Sequence, residues 1–194
     1  MPRLTESSRL RRRDDIAAAA MRCFARDGFS NTSMADIIRE AGSSAGSVYS
    51  NFKNKSDLVR YAASNALRDL IATVTAEPPS ERTPSSVLLH LLRASADGAH
   101  ARTLLQIWAE APQDTELADV AHQSTRELHA LIEGLLVPWC RKQTPNSSSP
   151  QADADALADA VLTALQGFLV RIAIDRDANP AVLIDRTVAV FRRL

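Results

Sequence analysis

The sequence predicts an all-α protein of about nine helices, and three observations support that prediction. Ala and Leu are plentiful, whereas Gly occurs only six times in 194 residues, a composition that favours helices. Apolar residues recur three and four positions apart along most of the chain, as on one face of a helix. By contrast, no segment alternates apolar and polar residues over enough positions to indicate a strand.

The composition is that of an ordinary soluble protein of one or two domains. Hydrophobic residues make up 45% and charged residues 24% of the chain. Cys23 and Cys140 form no disulfide or metal-binding motif, so a reducing cytoplasm is expected. The stretch MPRLTESSRLRRRDD lacks the apolar run of a signal peptide. We find no run of about 18 apolar residues, and therefore expect no membrane-spanning helix and no membrane partner.

The charges are unevenly distributed although the net charge is zero. Residues 1–60 carry eleven Arg and Lys against seven Asp and Glu, and residues 61–194 carry twelve against sixteen. A basic head on an acidic body indicates that the head meets a polyanion. Chance alone also produces a difference of this size, so the charge pattern needs a second observation.

The start of the chain predicts a helix followed closely by a short one. The first helix begins near Asp14 and ends at Gly28, because glycine adopts the left-handed conformation of a helix end at little cost. The second is capped by Thr32 or Ser33 and ends at Gly42. It is too short to be stable alone, so it must pack on its neighbours.

A third short helix follows after a tight turn, with Val48 and Phe52 on one face. Helix, short helix, tight turn and short helix form the helix-turn-helix plan, in which the second short helix enters the DNA major groove. The small residues Ala45, Gly46 and Ser47 would let the start of that helix come close to base edges and phosphates.

Three further positions fit this interpretation. Asp36 follows Ser33 at the spacing of a capping box, which would fix the start of the second helix. Tyr49 can place its hydroxyl on a phosphate while its ring stacks on a sugar or a thymine methyl group. Lys55, just before a predicted cap at Ser56 of the fourth helix, is placed for another phosphate contact.

The rest of the chain predicts further helices separated by two irregular segments. A Pro- and Ser-rich linker is expected at 77–86 and a polar loop at 143–151, and Pro138 should kink or end its helix early. The predicted helices span about 56–76, 87–97, 101–111, 115–142, 152–175 and the segment from 180 onward. We expect a helix-turn-helix domain over residues 1–60 and a larger helical domain over 61–194.

The window GFSNTSMADIIREAGSSAGSVYSNFKNKSDL, residues 28–58, resembles the DNA-binding domain of TetR-type (tetracycline-repressor-like) regulators. The shared positions keep the family spacing without gaps: Gly28, Phe29, Thr32, Ser33, Ile37, Ala41, Gly42, Ser44, Gly46, Tyr49, Phe52, Lys55 and Leu58. The pattern differs at Ile38, Ser43 and Asn51. The resemblance covers about residues 10–60, and beyond them only the number and length of the helices are similar.

This resemblance implies a ligand-responsive, cytoplasmic transcriptional repressor that acts as a homodimer. Its heads would bind the double-stranded DNA of a palindromic operator, and its larger domain would dimerise and hold a small-molecule effector. Effector binding would shift the population to a state that releases DNA. No cofactor and no metal ion are implied. The expected DNA contacts are Ser33, Ala45, Gly46, Ser47, Tyr49, Ser50, Asn51 and Lys55.

Three sets of residues outside the window have more than one interpretation. Arg9, Arg11, Arg12 and Arg13 could follow phosphates, reach a minor groove or form a disordered, solvated tail. The candidates for the effector pocket, which could equally be core residues and surface histidines, are His100, Gln106, Trp108, His129, Trp139 and Phe168. The candidates for the dimer interface, which could equally be buried within one chain, are Phe168, Leu169, Ile172, Val188 and Phe191.

Enzyme and adaptor functions are the alternatives. No H-E-x-x-H, C-x-x-C or phosphate-binding glycine loop occurs, so no enzyme is expected. His129 and Glu133 are four residues apart and could supply two metal ligands, but a metal site needs more, and a solvated helical pair is the simpler interpretation. A helical adaptor that uses the short helices for protein contacts would show no salt-dependent affinity for DNA.

Overall fold

The structure, a computed structural model, describes residues 6–76, 82–143 and 149–193. These residues form nine α-helices and one 3-10 turn, without a strand, which confirms the predicted all-α class. The elements are α1 Glu6–Asp27, α2 Met34–Glu40, α3 Ala45–Asn51, α4 Lys55–Ala76, α5 Pro84–Ala94, α6 Gly98–Glu110, the 3-10 turn Ala111–Gln113, α7 Thr115–Gln143, α8 Pro150–Ile174 and α9 Pro180–Phe191.

The described residues fall into two compact units. The first contains the chain up to Ala66 together with Gln106–Ala121, and the second contains Leu67–Leu105 and the residues from His122 onward. The first unit therefore includes a segment distant in sequence, which local sequence patterns do not reveal. The predicted functional boundary after residue 60 stays a prediction.

The core of the first unit joins α1, α2, α3 and the start of α4. Its largest fully buried side chains include Phe24, Ile37, Phe52 and Leu58. Leu117 from the distant segment packs into the same core. Burying each such side chain contributes about 1.5–3 kcal/mol, so the short helices α2 and α3 are held by packing rather than by their own propensity.

In the second unit, α5 packs on both α8 and α9, and α8 packs on α9. Helix α8 is by length and composition the one described helix that could cross a membrane, contrary to the expectation that no segment is apolar enough. Eight of its residues are buried within the protein, among them Val161, Leu165 and Phe168, and Asp155 and Asp159 lie on its exposed side. These are the features of a helix that packs in the core of its unit.

Several helix boundaries differ from the predicted ones. Helix α1 begins at Glu6 rather than near Asp14, so the arginine run is helical and the interpretation as a disordered tail is wrong. Helix α5 begins within the predicted linker, at Pro84, because proline is tolerated in a first helical turn. Pro150 likewise starts α8 inside the predicted polar loop. The remaining linker and loop residues, 77–81 and 144–148, lie outside the described residues.

Two other corrections concern single residues. Helix α7 continues through Pro138 to Gln143, in agreement with the predicted span of 115–142, so of the two effects expected at Pro138 early termination is wrong. Leu136 and Cys140, which flank the proline, are buried, and this packing offsets the hydrogen bond that proline removes. The cap of α4 is Asn54 rather than Ser56, since Asn54 Oδ1 accepts the backbone N–H of Asp57 at 2.8 Å.

Candidate nucleic-acid interface

Local backbone chemistry fixes both ends of α2. Ser33 Oγ accepts the backbone N–H of Asp36 at 3.2 Å, and Asp36 Oδ2 accepts the backbone N–H of Ser33 at 3.0 Å, which is the predicted capping box. The Ser33 hydroxyl also donates to Asp36 Oδ2 at 2.6 Å, and this bond, followed by the one from the Ser33 backbone N–H, lowers the pKa of Asp36. Gly28 before the helix and Gly42 after it have φ of 87° and 56°, the left-handed conformation that glycine adopts most readily.

Helix α3 is anchored on one side and open to solvent on the other. Ser44 caps its start by accepting the backbone N–H of Ser47 at 3.2 Å. Val48 and Phe52, with 0% and 1% exposure, hold the inner side in the core. Tyr49 is 53% exposed. The other exposed or half-exposed positions on and beside the outer side are Ser44, Ala45, Gly46, Ser47, Ser50 and Asn51.

The stretch Gly42–Gly46 reads G-x-S-x-G, the letter pattern of a hydrolase nucleophile turn. Its central residue, Ser44, is the cap of α3, and its Oγ is bonded to the backbone of the helix that follows. That hydrolase turn follows a β-strand, whereas here the preceding element is helix α2. The stretch therefore shares the residue pattern of the hydrolase turn but not its structure, and Ser44 caps α3.

Two of the predicted contact residues form side-chain hydrogen bonds to the backbone of α3 itself. Ser50 Oγ and Asn51 Nδ2 both donate to the carbonyl oxygen of Ser47, at 2.9 Å and 2.8 Å. Such back-bonding to the preceding turn competes with any outside partner. Tyr49, in contrast, points its ring into solvent.

Lys55 is not placed as the sequence predicts. It is the first residue of α4 rather than a residue before the cap. Its Nζ donates to the carbonyl oxygen of Phe29 at 2.8 Å and lies 4.6 Å from the centre of the Phe29 ring. The ammonium group therefore ties the start of α4 to the loop before α2, and any phosphate contact would use its remaining donors.

The arginine run has two environments. The guanidinium group of Arg13 lies 4.9 Å from the centre of the Phe52 ring and 4.4 Å from that of Tyr61, a cation–π arrangement. The Tyr61 hydroxyl donates to Asp14 Oδ1 at 2.7 Å. Arg13 thus joins α1 to α3 and α4, whereas Arg9, Arg11 and Arg12 are exposed on α1.

Other basic residues of the head are neutralised by neighbouring carboxylates. Arg22 and Arg26 both bind Glu40, at 2.9 Å and 3.2 Å, and Arg39 binds Asp36. The hydrogen bonds from these two arginines, Arg22 first, lower the pKa of Glu40. Lys53, which sequence analysis did not select, is exposed and has no ion pair among the described residues, so its position next to the end of α3 could have marked it.

Gly46 has no internal reason to be glycine. A Cβ atom placed there would meet no atom of the described protein within 4 Å, and its φ is not in the left-handed region. A helical glycine costs up to about 1 kcal/mol relative to alanine. The missing side chain therefore opens space only on the solvent-facing side of the start of α3, and not within the described protein.

An open cleft of about 500 Å³ lies beside α2, lined by Ser33, Met34 and Lys55 among others. It also includes Asp114, whose Oδ2 accepts a hydrogen bond from Ser56 Oγ at 3.1 Å. None of the six predicted effector-pocket residues lines this cleft.

Those six residues are divided between the two units. Gln106 and Trp108 belong to the first, and the other four belong to the second. Phe168 is buried, and His129 faces Asp159 on α8 with 3.2 Å between Nε2 and Oδ1. Gln106 Oε1 is buried and accepts no hydrogen bond from the described residues, which is uncommon for a polar atom in a folded protein.

The predicted dimer-interface residues are largely buried within one chain. Phe168, Leu169, Ile172 and Val188 are at most 6% exposed, and Phe191 is half-buried. Intrachain packing is sufficient to explain the burial of the first four. Their part in a dimer stays a prediction; the apolar surface left at the end of α8 and on α9 consists of Ile174, Val182 and Val190, exposed by 66%, 43% and 64%.

Two known families match the sequence. The family of bacterial regulatory proteins, tetR family, matches residues 16–62, and the family BetI-type transcriptional repressor, C-terminal, matches residues 79–193, more than half of the chain. The chain belongs to the TetR family. It is a helix-turn-helix transcriptional regulator and not an enzyme, in agreement with the class that the window at residues 28–58 predicted.

Similar proteins agree with this assignment. The HTH-type transcriptional regulator BetI of Burkholderia ambifaria is 26% identical over 169 residues, which cover 84% of this chain and 82% of that protein. The regulator AcrR of Shigella flexneri is 31% identical over 114 residues, 55% and 52% of the two chains. The transcriptional regulator FadR from Bacillus subtilis, solved with stearoyl-CoA, has the same fold, with a TM-score of 0.77 at 16% identity over 92% and 96% of the chains.

Proposed function

We propose that this TetR-family regulator is a cytoplasmic homodimeric repressor that binds a palindromic operator and is released by a small-molecule effector. The observation that carries the proposal is the geometry of α3. Its inner side is fixed in the core by Val48 and Phe52, and its outer side offers small residues and one aromatic ring to solvent.

The outer side of α3 fits a DNA groove better than a protein partner. A protein-docking helix would present a row of apolar side chains, but Ala45, Gly46 and Ser47 bury little area. Close backbone approach explains the open space at Gly46, and Tyr49 supplies a hydroxyl for a phosphate and a ring for a sugar or thymine methyl group. Phosphate contacts set the position on DNA, while contacts to base edges set the sequence preference.

Release by an effector requires that the effector bind the DNA-incompetent state more tightly than the competent one. The FadR structure, solved with stearoyl-CoA, shows that this fold accommodates an organic ligand in another protein. In this chain, the buried acceptor of Gln106 offers one polar contact that the described residues leave unused. We expect a largely apolar effector with at least one hydrogen-bond donor.

The exposed apolar residues of the second unit support dimerisation, which also matches the symmetry of the proposed operator. A palindrome contains two equivalent half-sites, which match a two-fold dimer. Val182 and Val190 lie about two turns apart on α9 and are exposed in the single chain, so a second copy of the chain would cover them.

The experiment that tests this function is selection of bound sequences from a random pool of duplex DNA, using the full chain. We expect enrichment of a palindrome with two half-sites about one helical turn apart, roughly 10 base pairs. Tyr49→Phe, which keeps the ring, should retain more affinity than Tyr49→Ala. Failure to enrich any sequence at low ionic strength, with folded protein, would exclude operator binding and favour the adaptor alternative.

A further inference from the structure

A histidine and three carboxylates converge on the outer side of α7 and α8. His129 and Glu133 are one turn apart on α7, and Asp155 and Asp159 are one turn apart on α8. Ligand atoms of His129, Glu133 and Asp155 all lie within 4.8 Å of one another. His129 Nε2 lies 3.6 Å from Asp155 Oδ1 and 3.2 Å from Asp159 Oδ1.

These spacings fit the coordination shell of a small divalent ion. A tetrahedral ion with bonds of about 2.0–2.1 Å holds neighbouring ligand atoms about 3.3–3.4 Å apart. The two distances from His129 Nε2 lie on either side of that value. The ligand atoms of His129, Glu133 and Asp155 lie within 4.8 Å of one another, so the exposed side chains of Asp155 and Asp159 and that of Glu133 would have to rotate inward to close the shell around an ion.

The charges also favour a cation. Three carboxylates meet one imidazole, and no Lys or Arg pairs with Glu133, Asp155 or Asp159 among the described residues. Gln151 Nε2 donates to Glu133 Oε1, which orients that carboxylate as outer-shell partners of metal ligands do. The side chain of His129 is 21% exposed, and those of Asp155 and Asp159 are 61% and 73% exposed, so an ion has direct access from solvent.

We propose that His129, Glu133 and Asp155, with Asp159 as a fourth oxygen ligand, bind a first-row divalent transition-metal ion of the Zn²⁺ type. An imidazole nitrogen selects against Mg²⁺ and Ca²⁺, which prefer oxygen ligands alone. The sequence shows only the His129–Glu133 pair, which is too few ligands; the fold supplies the others from a helix more than 20 residues away.

The competing explanation is an ion pair between a protonated His129 and the two aspartates. That arrangement needs no metal and gives the same distances, so metal binding itself must be measured. The measurement uses the full chain without a histidine tag, and it is independent of DNA binding, so its failure would not affect the proposed repressor function.

The test is titration with Co²⁺, followed by visible absorption, and displacement by Zn²⁺. Wild-type protein should develop the strong bands of a low-coordinate Co²⁺ ion, and Zn²⁺ should remove them. His129→Asn and Asp155→Asn should each weaken Co²⁺ binding by more than the ~10–100-fold that loss of an outer-shell partner costs. Gln151→Leu should fall within that range.

His122→Asn is the matched control, because His122 is exposed on the same helix and belongs to no such cluster within the part of the chain that the structure describes. It should bind Co²⁺ as the wild type does. Zn²⁺, but not Mg²⁺, should raise the melting temperature of the wild type and of His122→Asn in a concentration-dependent way. Absence of Co²⁺ bands in the wild type, or equal bands in folded His129→Asn, would overturn the site and leave the ion pair as the explanation.

Discussion

Lys55 Nζ donates a hydrogen bond to the carbonyl oxygen of Phe29 at 2.8 Å while it lies over the ring of the same residue. The Lys55 ammonium group therefore provides a hydrogen-bond donor to a carbonyl group of the loop before α2, and it is also expected to contact a DNA phosphate. The two roles can be separated, because one acts on the stability of the head and the other on the salt dependence of DNA binding.

Lys55→Met keeps the aliphatic stem and removes the charge. It should lower the free energy of unfolding by about 1 kcal/mol, through loss of a charged hydrogen bond and a cation–π contact. It should also weaken binding to all DNA sequences. The slope of the logarithm of the binding constant against the logarithm of the salt concentration should become shallower by about one. Thermal unfolding and DNA titration at several salt concentrations measure the two effects.

Lys53→Met is the control for stability. Lys53 is exposed and unpaired in the described structure, so its replacement should leave stability unchanged. An unaltered salt slope in Lys55→Met would leave Lys55 with the structural role alone.

Gly46→Ala should move stability and DNA affinity in opposite directions. The added methyl group meets no atom of the described residues within 4 Å, so the helix propensity of alanine should stabilise the head by up to about 1 kcal/mol. The same methyl group should obstruct close approach of α3 to DNA and lower operator affinity. Gly167→Ala, at an equally open position on α8, should stabilise the protein without affecting DNA binding. Unchanged affinity in Gly46→Ala would show that α3 does not approach DNA through its first turn.

Gln106→Leu tests whether the buried Oε1 atom serves an effector. Replacing an unsatisfied buried acceptor with an apolar group of similar size is nearly neutral or stabilising. We therefore expect an unchanged or higher melting temperature together with a weaker response to an effector found by thermal-shift screening. A loss of stability of about 2 kcal/mol or more would instead indicate that the amide has a structural partner.

Val190→Glu should prevent dimerisation if α9 is part of the interface. A charge on an exposed surface costs little in the monomer, but burying it against a second copy costs several kcal/mol. Light scattering should show a monomer that is still folded, and affinity for the palindrome should fall at least about tenfold, or 1.4 kcal/mol. Glu substituted at Ala156, an exposed position on α8, is the control. A dimer that persists in Val190→Glu would place the interface elsewhere.

Glu40 should contribute to stability in a pH-dependent way. Its pKa in the folded protein is below the usual value because Arg22 and Arg26 bind it. The folded state thus binds fewer protons at this site, and the contribution is complete above the unfolded pKa of about 4.3 and is lost as the pH falls through the folded value. The difference in stability between wild type and Glu40→Gln should be present at neutral pH and disappear in acid. A difference that persists at the lowest pH would contradict the ion-pair explanation.

Sequence patterns predicted those parts of the head that depend on neighbouring residues. The capping box at Ser33 and the helix ends at Gly28 and Gly42 are local, since each needs only a few residues of correct type and spacing. Long-range contacts left no such signal. The recruitment of Leu117 into the first core and the bond from Lys55 to Phe29 join residues that are distant in sequence.

The errors at proline have one cause. The sequence interpretation treats proline as part of an irregular segment at 84 and 150 and as a kink or early end at 138, although the effect of proline depends on its position. At Pro84 and Pro150 its missing N–H lies in a first turn, where no partner is needed. At Pro138 tertiary packing outweighs the loss. Burial is not visible in a residue pattern, so the boundaries required the structure.

The contact of Arg13 with the rings of Phe52 and Tyr61 changes what the neighbouring cations can do. Consecutive residues on a helix diverge by about 100° around its axis, so Arg11, Arg12 and Arg13 radiate in three directions and cannot form a single flat basic patch. Because one of these directions is occupied by aromatic rings, the orientation of the others is set by the protein interior. A nucleic acid strand passing along α1 would meet separate charges carried on a helix rather than a flexible arm that wraps around it.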